Sequence, residues 1–173
     1  MNLVKAEAKD FKRIREHYEC IIDNTEDMDK YARWKKGLHP SDSGIKKYID
    51  EGTMYMLMDG GCIAGTMAVT MKQDDEYRRI CWNNDLEDSD IAVIHILGVA
   101  PENQKKGIGS MMIDEAVRLA RYSIKKAVGL DALASNTPAR HMYETKGFEY
   151  RGKLKLYADN TGLTDFCFYE YQL

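Results

Sequence analysis

Apolar residues recur at helical spacing in some segments of this chain and alternate with polar residues in others. A period of 3.6 residues predicts an amphipathic helix, and alternation predicts a strand with one buried face. In the N-terminal third, the pattern predicts a strand at 3–6, a helix capped by Asp10 that carries Phe11, Ile14, Tyr18, Ile21 and Ile22, a helix through Tyr31 and Trp34, and a helix that ends at Asp50.

Strand patterns dominate the rest of the chain, with turn residues between them. Predicted strands lie at 53–58, 62–71, 91–99, 127–134, 148–157 and 164–171. The Asp-Gly-Gly sequence at 59–61 is typical of a tight hairpin turn. The strand at 91–99 is almost entirely apolar, as expected for a central strand that is covered on both faces. Helices are predicted after Gly107 and between Thr137 and Gly147, because a proline favours a helix start and a glycine its end.

These elements predict an α/β fold, of the α+β type with a mixed sheet. The N-terminal strands form an antiparallel part, and a strand–helix–strand crossover adds a parallel pair near the middle of the chain. The 173 residues contain no repeat, low-complexity tract or linker. We therefore expect a single domain over residues 1–173, long enough to bury a sizeable core.

Composition narrows the possible functions. The chain is 44% hydrophobic and 31% charged with a formal net charge of −3, which argues against a nucleic-acid-binding protein that depends on bulk positive charge. The four cysteines are scattered, so we expect neither a metal site nor disulfides. No apolar run reaches the ~20 residues of a membrane span, and the N-terminus lacks a signal-peptide pattern. We expect a cytoplasmic protein that does not bind membranes.

The segment after the central strand carries the strongest chemical signal. There a sharp turn leads into glycines that open an amphipathic helix. Main-chain N–H groups in the first turn of a helix lack internal partners, and glycines let a ligand approach them, which predicts a phosphate or pyrophosphate site. A Walker A loop needs a lysine after Gly109, and a dinucleotide fingerprint needs a glycine where Met112 stands. The remaining pattern, Gln-x-x-Gly-x-Gly, fits residues 104–109.

This pattern resembles the acyl-CoA-binding motif of the GNAT superfamily of N-acetyltransferases. A second motif of that family, Asn-x-x-Ala-x-x-x-Tyr-x-x-x-Gly-Phe, follows one strand later at residues 136–148. The resemblance covers residues 91–173 and rests on two motifs in the family's order. It implies a sheet that splays to admit the pantetheine arm of acetyl-CoA, flanked by helices. It also implies transfer of an acetyl group to a primary amine within a ternary complex.

The resemblance assigns roles to individual residues. Tyr143 stands at the position of the acid that protonates the departing thiolate, and His95 is the candidate base for the amine proton. Periodicity alone favours a core position for both residues. The residues expected to bind acetyl-CoA are Leu97, Gly98, Val99, Gln104, Lys105, Lys106, Gly107, Ile108, Gly109, Ser110 and Asn136.

Several of these binding residues have alternative interpretations. Gln104 is equally suited to orient the turn through its side-chain amide, and the two lysines after it are compatible with a solvated turn. Asn136 is well placed to cap the helix that follows. Gly98 is expected to permit a bulge that splays the sheet, or to serve an ordinary strand by close packing.

The acceptor is less well defined by the sequence. The resemblance implies a small-molecule or peptide amine, bound among the N-terminal helices, the loop before the central strand and the final hairpin. The loop at 72–90 has two interpretations: a solvated, mobile loop, which we favour, or a surface where Tyr77 and Trp82 help to attract a cationic amine. Its acidic residues are Asp74, Asp75, Glu76, Asp85, Glu87, Asp88 and Asp90.

Two rival functions remain open at this point. A non-catalytic acyl-CoA-binding sensor or regulatory module would keep the fold without turnover, although Tyr143 argues against it. A dehydrogenase with a degenerate nucleotide loop is disfavoured by Met112. The resemblance also allows a homodimer, since members of the family often form one.

Overall fold

A computed structural model describes residues 1–83 and 86–173 and contains one mixed sheet with helices on both faces. The strands are β1 (Asn2–Lys5), β2 (Met54–Asp59), β3 (Cys62–Thr70), β4 (Ile91–Val99), β5 (Ala127–Leu133), β6 (Glu149–Ala158) and β7 (Gly162–Gln172). The helices are α1 (Phe11–Asn24), α2 (Asp42–Asp50), α3 (Ile108–Tyr122) and α4 (Thr137–Thr145), and short 3-10 helices lie at Ala8–Asp10, Asp75–Arg79, Asp88–Asp90 and Pro101–Asn103. The mixed α/β fold class is confirmed. No helix within the described ranges is long and apolar enough to span a bilayer.

The sheet runs in the order β1-β2-β3-β4-β5-β7-β6. Among the described strands, β4 and β5 are the parallel pair, and α3 connects them. The apolar sides of α3 and α4 pack on one face of the sheet, where Met112 and Ala116 are fully buried. The apolar sides of α1 and α2 pack on the other face through Ile14 and Ile45. Each buried large aliphatic side chain stabilises the fold by roughly 1.5–3 kcal/mol.

The sheet opens between its two parallel strands. Pairing of β4 with β5 begins at Ile91 and Ala127 and ends at Ile94 and Leu130, although both strands continue beyond that point. Past this last pair the two strands separate, and a gap lies between their carboxyl-terminal halves. The main-chain groups that border the gap therefore have no cross-strand partner. The expected splay of the sheet is present.

A bulge in β4 adjoins this gap. On β3, Thr66 pairs with Gly98 and Ala68 pairs with His95, so β4 has one residue more than β3 in this interval. Ile96, rather than Gly98, has the left-handed φ of 44°. The expected bulge is therefore present in the interval that ends at Gly98, and its left-handed residue is Ile96. A Cβ atom on Gly98 would lie 2.9 Å from Cδ1 of Ile21, so this glycine serves close packing of α1 instead.

Two N-terminal predictions differ from the structure. Residues 25–40 form turns rather than a helix, and left-handed φ values at Asp27 and Arg33 interrupt any helical run. Trp34 is held there by tertiary packing, with its ring edge-on to Tyr18 at 5.6 Å. Asp10 occupies the predicted N-cap position of α1, but its carboxylate accepts a hydrogen bond from the main-chain N–H of Glu7 rather than from the helix.

The described part of the acidic loop, residues 72–83 and 86–90, is anchored to the sheet by its apolar side chains, although a solvated loop was expected. Tyr77 and Ile80 are buried against β4, β5 and β7. The Trp82 ring stacks on Tyr77 at 5.9 Å, and its indole N–H donates to the Tyr77 carbonyl. Asp85, one of the acidic residues named above, lies outside the described residues.

Candidate active site

A cavity of about 880 Å³ occupies the gap between β4 and β5. Its walls come from the ends of these strands, the first turns of α3 and α4, the α1–α2 loop and the β6–β7 turn. Of the predicted site residues, those that line it are His95, Leu97, Gly98, Val99, Gln104, Lys105, Gly107, Ile108, Gly109, Ser110, Asn136 and Tyr143. Lys106 is exposed and is absent from the lining. No cluster of potential metal ligands occurs within the described ranges.

The turn before α3 presents free main-chain donors to the cavity. Gly107 adopts a left-handed φ of 80°, and a Cβ atom there would meet no other atom within 4 Å. The N–H groups of Gly109 and Ser110 donate no hydrogen bond to any described group. These N–H groups and the positive end of the helix dipole fit the diphosphate of a CoA thioester.

Gln104 fixes the shape of this turn. Its side-chain amide donates to Oγ1 of Thr25 at 2.9 Å and to the carbonyl oxygen of Val99 at 3.1 Å, and its main-chain N–H donates to the carbonyl of Pro101. Gln104 therefore ties α1, β4 and the turn together. Since its donors are already engaged, the geometry favours a role in orienting the turn.

Of the two lysines after Gln104, Lys105 lines the cavity and Lys106 does not. Lys105 has a φ of 59° and lines the cavity, and its ammonium lies 4.0 Å from the carboxylate of Glu26. Both members of this ion pair are largely exposed, so the pair contributes little to stability.

The end of β4 directs a main-chain donor into the gap. The N–H of Ala100 donates to the carbonyl of Ala64, so the preceding pair, Val99 and Gly65, is of the non-hydrogen-bonded type. The N–H of Val99 therefore points away from β3, toward the opened edge of β4. A carbonyl oxygen bound in the gap would be within reach of this donor.

Two motif residues on α4 line the cavity. Asn136 caps the helix, since its Oδ1 accepts a hydrogen bond from the N–H of Ala139 at 3.3 Å. Tyr143 is 8% exposed and packs edge-on to Tyr169, and its hydroxyl makes no hydrogen bond with any described group. Burial raises the pKa of Tyr143, and the nearby charge of Asp131 adds to this effect, so the phenol keeps its proton at neutral pH.

His95 is the first residue of β4 beyond its last pairing with β5. Its ring stacks on Tyr48 of α2 at 5.6 Å, and its Nε2 lies 3.1 Å from Oγ1 of Thr70. Burial lowers the pKa of His95 to about 4. The imidazole is therefore neutral at pH 7, able to accept a proton but weakly basic.

Asp131 is a site residue that the sequence reasoning did not identify. It is the first residue of β5 beyond the last pairing with β4, so it faces the same side of the sheet as His95. Its carboxylate lines the cavity and accepts a hydrogen bond from the hydroxyl of Tyr77. Burial raises the pKa of Asp131, and the negative charges of Asp74 and Glu76 act in the same direction. The sequence signal that could have identified Asp131 is that it is the single charged residue in the otherwise apolar strand 127–133.

Known proteins resemble this chain in sequence and in fold. The model of the acetyltransferase (GNAT) family matches residues 10–148. N-alpha-acetyltransferase 60 of Danio rerio is 34% identical over 79 residues, which make up 44% of this chain and 33% of that protein. The chain therefore matches about a third of the length of this curated relative.

Solved structures extend the likeness to the whole chain. A GNAT-family acetyltransferase from Streptococcus agalactiae 2603 has a TM-score of 0.77 and 17% identity, over 99% of this chain and 95% of that one. An acetyltransferase structure from Salmonella typhimurium with its cofactor acetyl-CoA has a TM-score of 0.70 and 16% identity, over 100% and 94%. At these identities the structures show a shared fold alone. The family match covers most of the chain, and the protein belongs to the GNAT family of acetyltransferases.

Proposed function

We propose that this protein, as a single domain over residues 1–173, transfers an acetyl group from acetyl-CoA to a primary amine. The observation that carries the proposal is the arrangement of groups around the gap between β4 and β5. Free main-chain donors and Tyr143 belong to the side of the sheet that α3 and α4 cover. His95 and Asp131 face the opposite side, where Tyr48 and Tyr77 contact them.

Binding of acetyl-CoA would rely mainly on main chain. The N–H groups of Gly109 and Ser110 hold the diphosphate, and Gln104 keeps the turn in shape. The N–H of Val99 hydrogen-bonds to the thioester carbonyl oxygen and stabilises the negative charge that develops on it. Acetyl-CoA supplies an activated acyl group, so no metal is required.

Proton transfer would rely on side chains. The Asp131 carboxylate takes a proton from the ammonium form of the acceptor, whose nitrogen then attacks the thioester carbon. The new C–N bond forms, the C–S bond breaks, and Tyr143 gives its proton to the leaving sulfur. The nitrogen loses its second proton through solvent to the Tyr143 phenolate, which restores the acid, and Asp131 releases its proton to water. Asp131 is the proposed base because it lines the cavity just beyond the last pairing of β5 with β4, and burial raises its pKa. His95, which is neutral at pH 7 and lines the same cavity, is the alternative base.

The test measures two signals on the purified protein. Thiol release is followed with acetyl-CoA and a panel of primary amines, and the melting temperature is followed with acetyl-CoA alone. An N-acetyltransferase gives both amine-dependent thiol release and stabilisation. Stabilisation without thiol release would instead support the acyl-CoA sensor, and thiol release with alcohols alone would exclude an amine acceptor.

A further inference from the structure

Two neighbours hold the ring of His95 in one orientation. The ring stacks on Tyr48 at a centroid distance of 5.6 Å with 22° between the ring planes, which fixes the plane of the imidazole. Within that plane, Nε2 lies 3.1 Å from Oγ1 of Thr70, which fixes the direction of each ring nitrogen. The half-buried imidazole therefore presents one defined edge to the cavity that it lines.

The register of β3 and β4 places Thr70 beside His95. Ala68 pairs with His95 and Thr70 pairs with Val93, so the side chains of Thr70 and His95 are diagonal neighbours on one face of the sheet. Thr70 is the last residue of β3 and does not itself line the cavity. Any effect of Thr70 on a molecule bound there is therefore transmitted by His95.

The hydroxyl of Thr70 has one hydrogen to donate. It donates to the carbonyl oxygen of Lys72 at 3.1 Å, and the carbonyl oxygen of Val93 lies at 3.5 Å. A carbonyl can only accept, whereas a neutral imidazole can carry its proton on either nitrogen. With the proton on Nε2, the imidazole donates to Thr70 and Thr70 donates to Lys72. The other tautomer would keep one of these two hydrogen bonds, so the Nε2–H tautomer is favoured.

This arrangement leaves a lone pair on Nδ1 of His95. Nδ1 makes no hydrogen bond with any described group and remains accessible to solvent. Burial lowers the pKa of His95 to about 4, so the ring is uncharged at pH 7 and Nδ1 can accept a hydrogen bond. His95 and Asp131 are each the first residue beyond the last pair of β4 with β5. A nitrogen that has given one proton to Asp131 still has N–H groups to donate to Nδ1.

We propose that Thr70 is a positioning residue that holds His95 as the Nε2–H tautomer, so that Nδ1 accepts a hydrogen bond from the acceptor amine. This hydrogen bond uses one N–H of the neutral amine and thereby restricts the orientation of its lone pair. The inference rests on the proposed N-acetyltransferase function and adds to it a residue outside the cavity that orients the acceptor.

Histidine ¹⁵N NMR at pH 7 tests the tautomer, because it distinguishes the protonated ring nitrogen from the unprotonated one. We expect His95, assigned by comparison with His95→Asn, to carry its proton on Nε2 in the wild type and in Thr70→Ser. In Thr70→Val, which keeps the branched shape without the hydroxyl, the Nδ1–H form should become populated. A wild-type proton on Nδ1, or a proton that stays wholly on Nε2 in Thr70→Val, would overturn the inference.

Kinetics test the effect on the acceptor. In Thr70→Val, kcat/KM for the fastest primary amine of the panel should decrease by about three- to tenfold, as expected for the loss of one hydrogen bond, while KM for acetyl-CoA is unchanged. Thr70→Ser should restore most of the wild-type value. Thr145→Val is the matched control, because the Thr145 hydroxyl donates to the carbonyl of His141 at an exposed position of α4.

The kinetic outcomes separate this inference from the proposed function. No decrease in Thr70→Val, or equal decreases in Thr70→Val and Thr70→Ser, would overturn the role of Thr70 while leaving N-acetyl transfer intact. A decrease of the same size in Thr145→Val would also overturn it. Absence of thiol release from the wild type with every amine would instead refute the proposed function.

Discussion

The two sides of the cavity are built from different parts of the polypeptide. The side of the cavity where we propose that acetyl-CoA binds is called the nucleotide side. There the turn at 104–110 offers main-chain N–H groups, and the side chain of Gln104 shapes the turn. On the proposed acceptor side, the candidate groups are the half-buried side chains of His95, Asp131 and Tyr48. Tyr48 of α2 stacks on His95, and Tyr77 of the loop at 72–90 donates to Asp131. Binding on the nucleotide side therefore depends on backbone conformation, whereas the chemistry on the acceptor side depends on the protonation states of a few side chains.

Buried titratable side chains make the folding stability depend on pH. Burial lowers the pKa values of His17 and His95 from 6.5 to about 4. The unfolded chain therefore binds these protons first as pH falls, and folding stability is lost between pH 6.5 and about 4. Each histidine corresponds to roughly 3 kcal/mol. Burial raises the pKa of Asp131, which acts in the opposite sense because the folded form takes up that proton first.

This pH response is the largest effect that we expect. Urea unfolding at pH 7 and at pH 4.5 should show a marked loss of unfolding free energy in the wild type. Burial also lowers the pKa of His39, so His95→Asn should remove a part of the loss, and His141→Asn, at an exposed position on α4, is the control. An equal loss in His95→Asn and wild type would show that His95 is not buried in its neutral form.

Asp131→Asn tests the acceptor side directly. The amide keeps an oxygen for the hydroxyl of Tyr77 but cannot take a proton, so kcat should decrease by about 100-fold or more. Stabilisation by acetyl-CoA should be unchanged, and Asp59→Asn at the exposed end of β2 is the control. In the wild type, kcat/KM should rise with pH through a pKa above the ordinary aspartate range. Full turnover in Asp131→Asn would assign the proton transfer to another group.

Tyr143→Phe tests the group that we propose as the proton donor to the leaving thiolate. Removal of a hydroxyl without hydrogen-bond partners should leave the fold intact and lower kcat by about 10- to 100-fold. Tyr157→Phe, at a position that is 72% exposed on β6, provides the matched control. If both variants turn over at the wild-type rate, Tyr143 is a core residue and the thiolate takes its proton from water.

Gln104→Ala tests the nucleotide side, where we expect the smallest effect. Loss of the hydrogen bonds to Thr25 and Val99 loosens the turn, so KM for acetyl-CoA should rise by about five- to tenfold while kcat changes little. Lys106→Ala removes an exposed charge beside the turn and should raise KM by less than about threefold. A larger effect of Lys106→Ala than of Gln104→Ala would contradict a site built mainly from main chain.

How much could be predicted from the sequence depends on whether a feature is set by neighbouring residues or by distant contacts. The strand at 91–99, the turn before Gly107 and the helix between Thr137 and Gly147 were predicted because glycine, proline and apolar periodicity act locally. Gly147 indeed adopts a left-handed φ of 86°. The helix through Tyr31 and Trp34 was wrong, because Trp34 is held by contact with Tyr18 rather than by local periodicity.

The loop at 72–90 also shows that local sequence patterns do not predict packing that depends on distant contacts. Its acidic composition is typical of a solvated loop, yet Tyr77 and Ile80 are buried among residues of β4, β5 and β7. Tyr77 also reaches Asp131, which is 54 residues away in the chain. Sequence spacing contains no information on such a contact.

The sequence by itself predicted the mixed fold and a main-chain anion site before α3, since both predictions depend on local patterns. The candidate Tyr143 came from the resemblance to the GNAT family, because periodicity alone favours a core residue there. Only the tertiary structure decided that β4 and β5 separate after Ile94 and Leu130, and that His95 and Asp131 thereby face one cavity. Strand register and the desolvation of a carboxylate depend on segments that are distant in the chain. A pattern of neighbouring residues therefore cannot specify them.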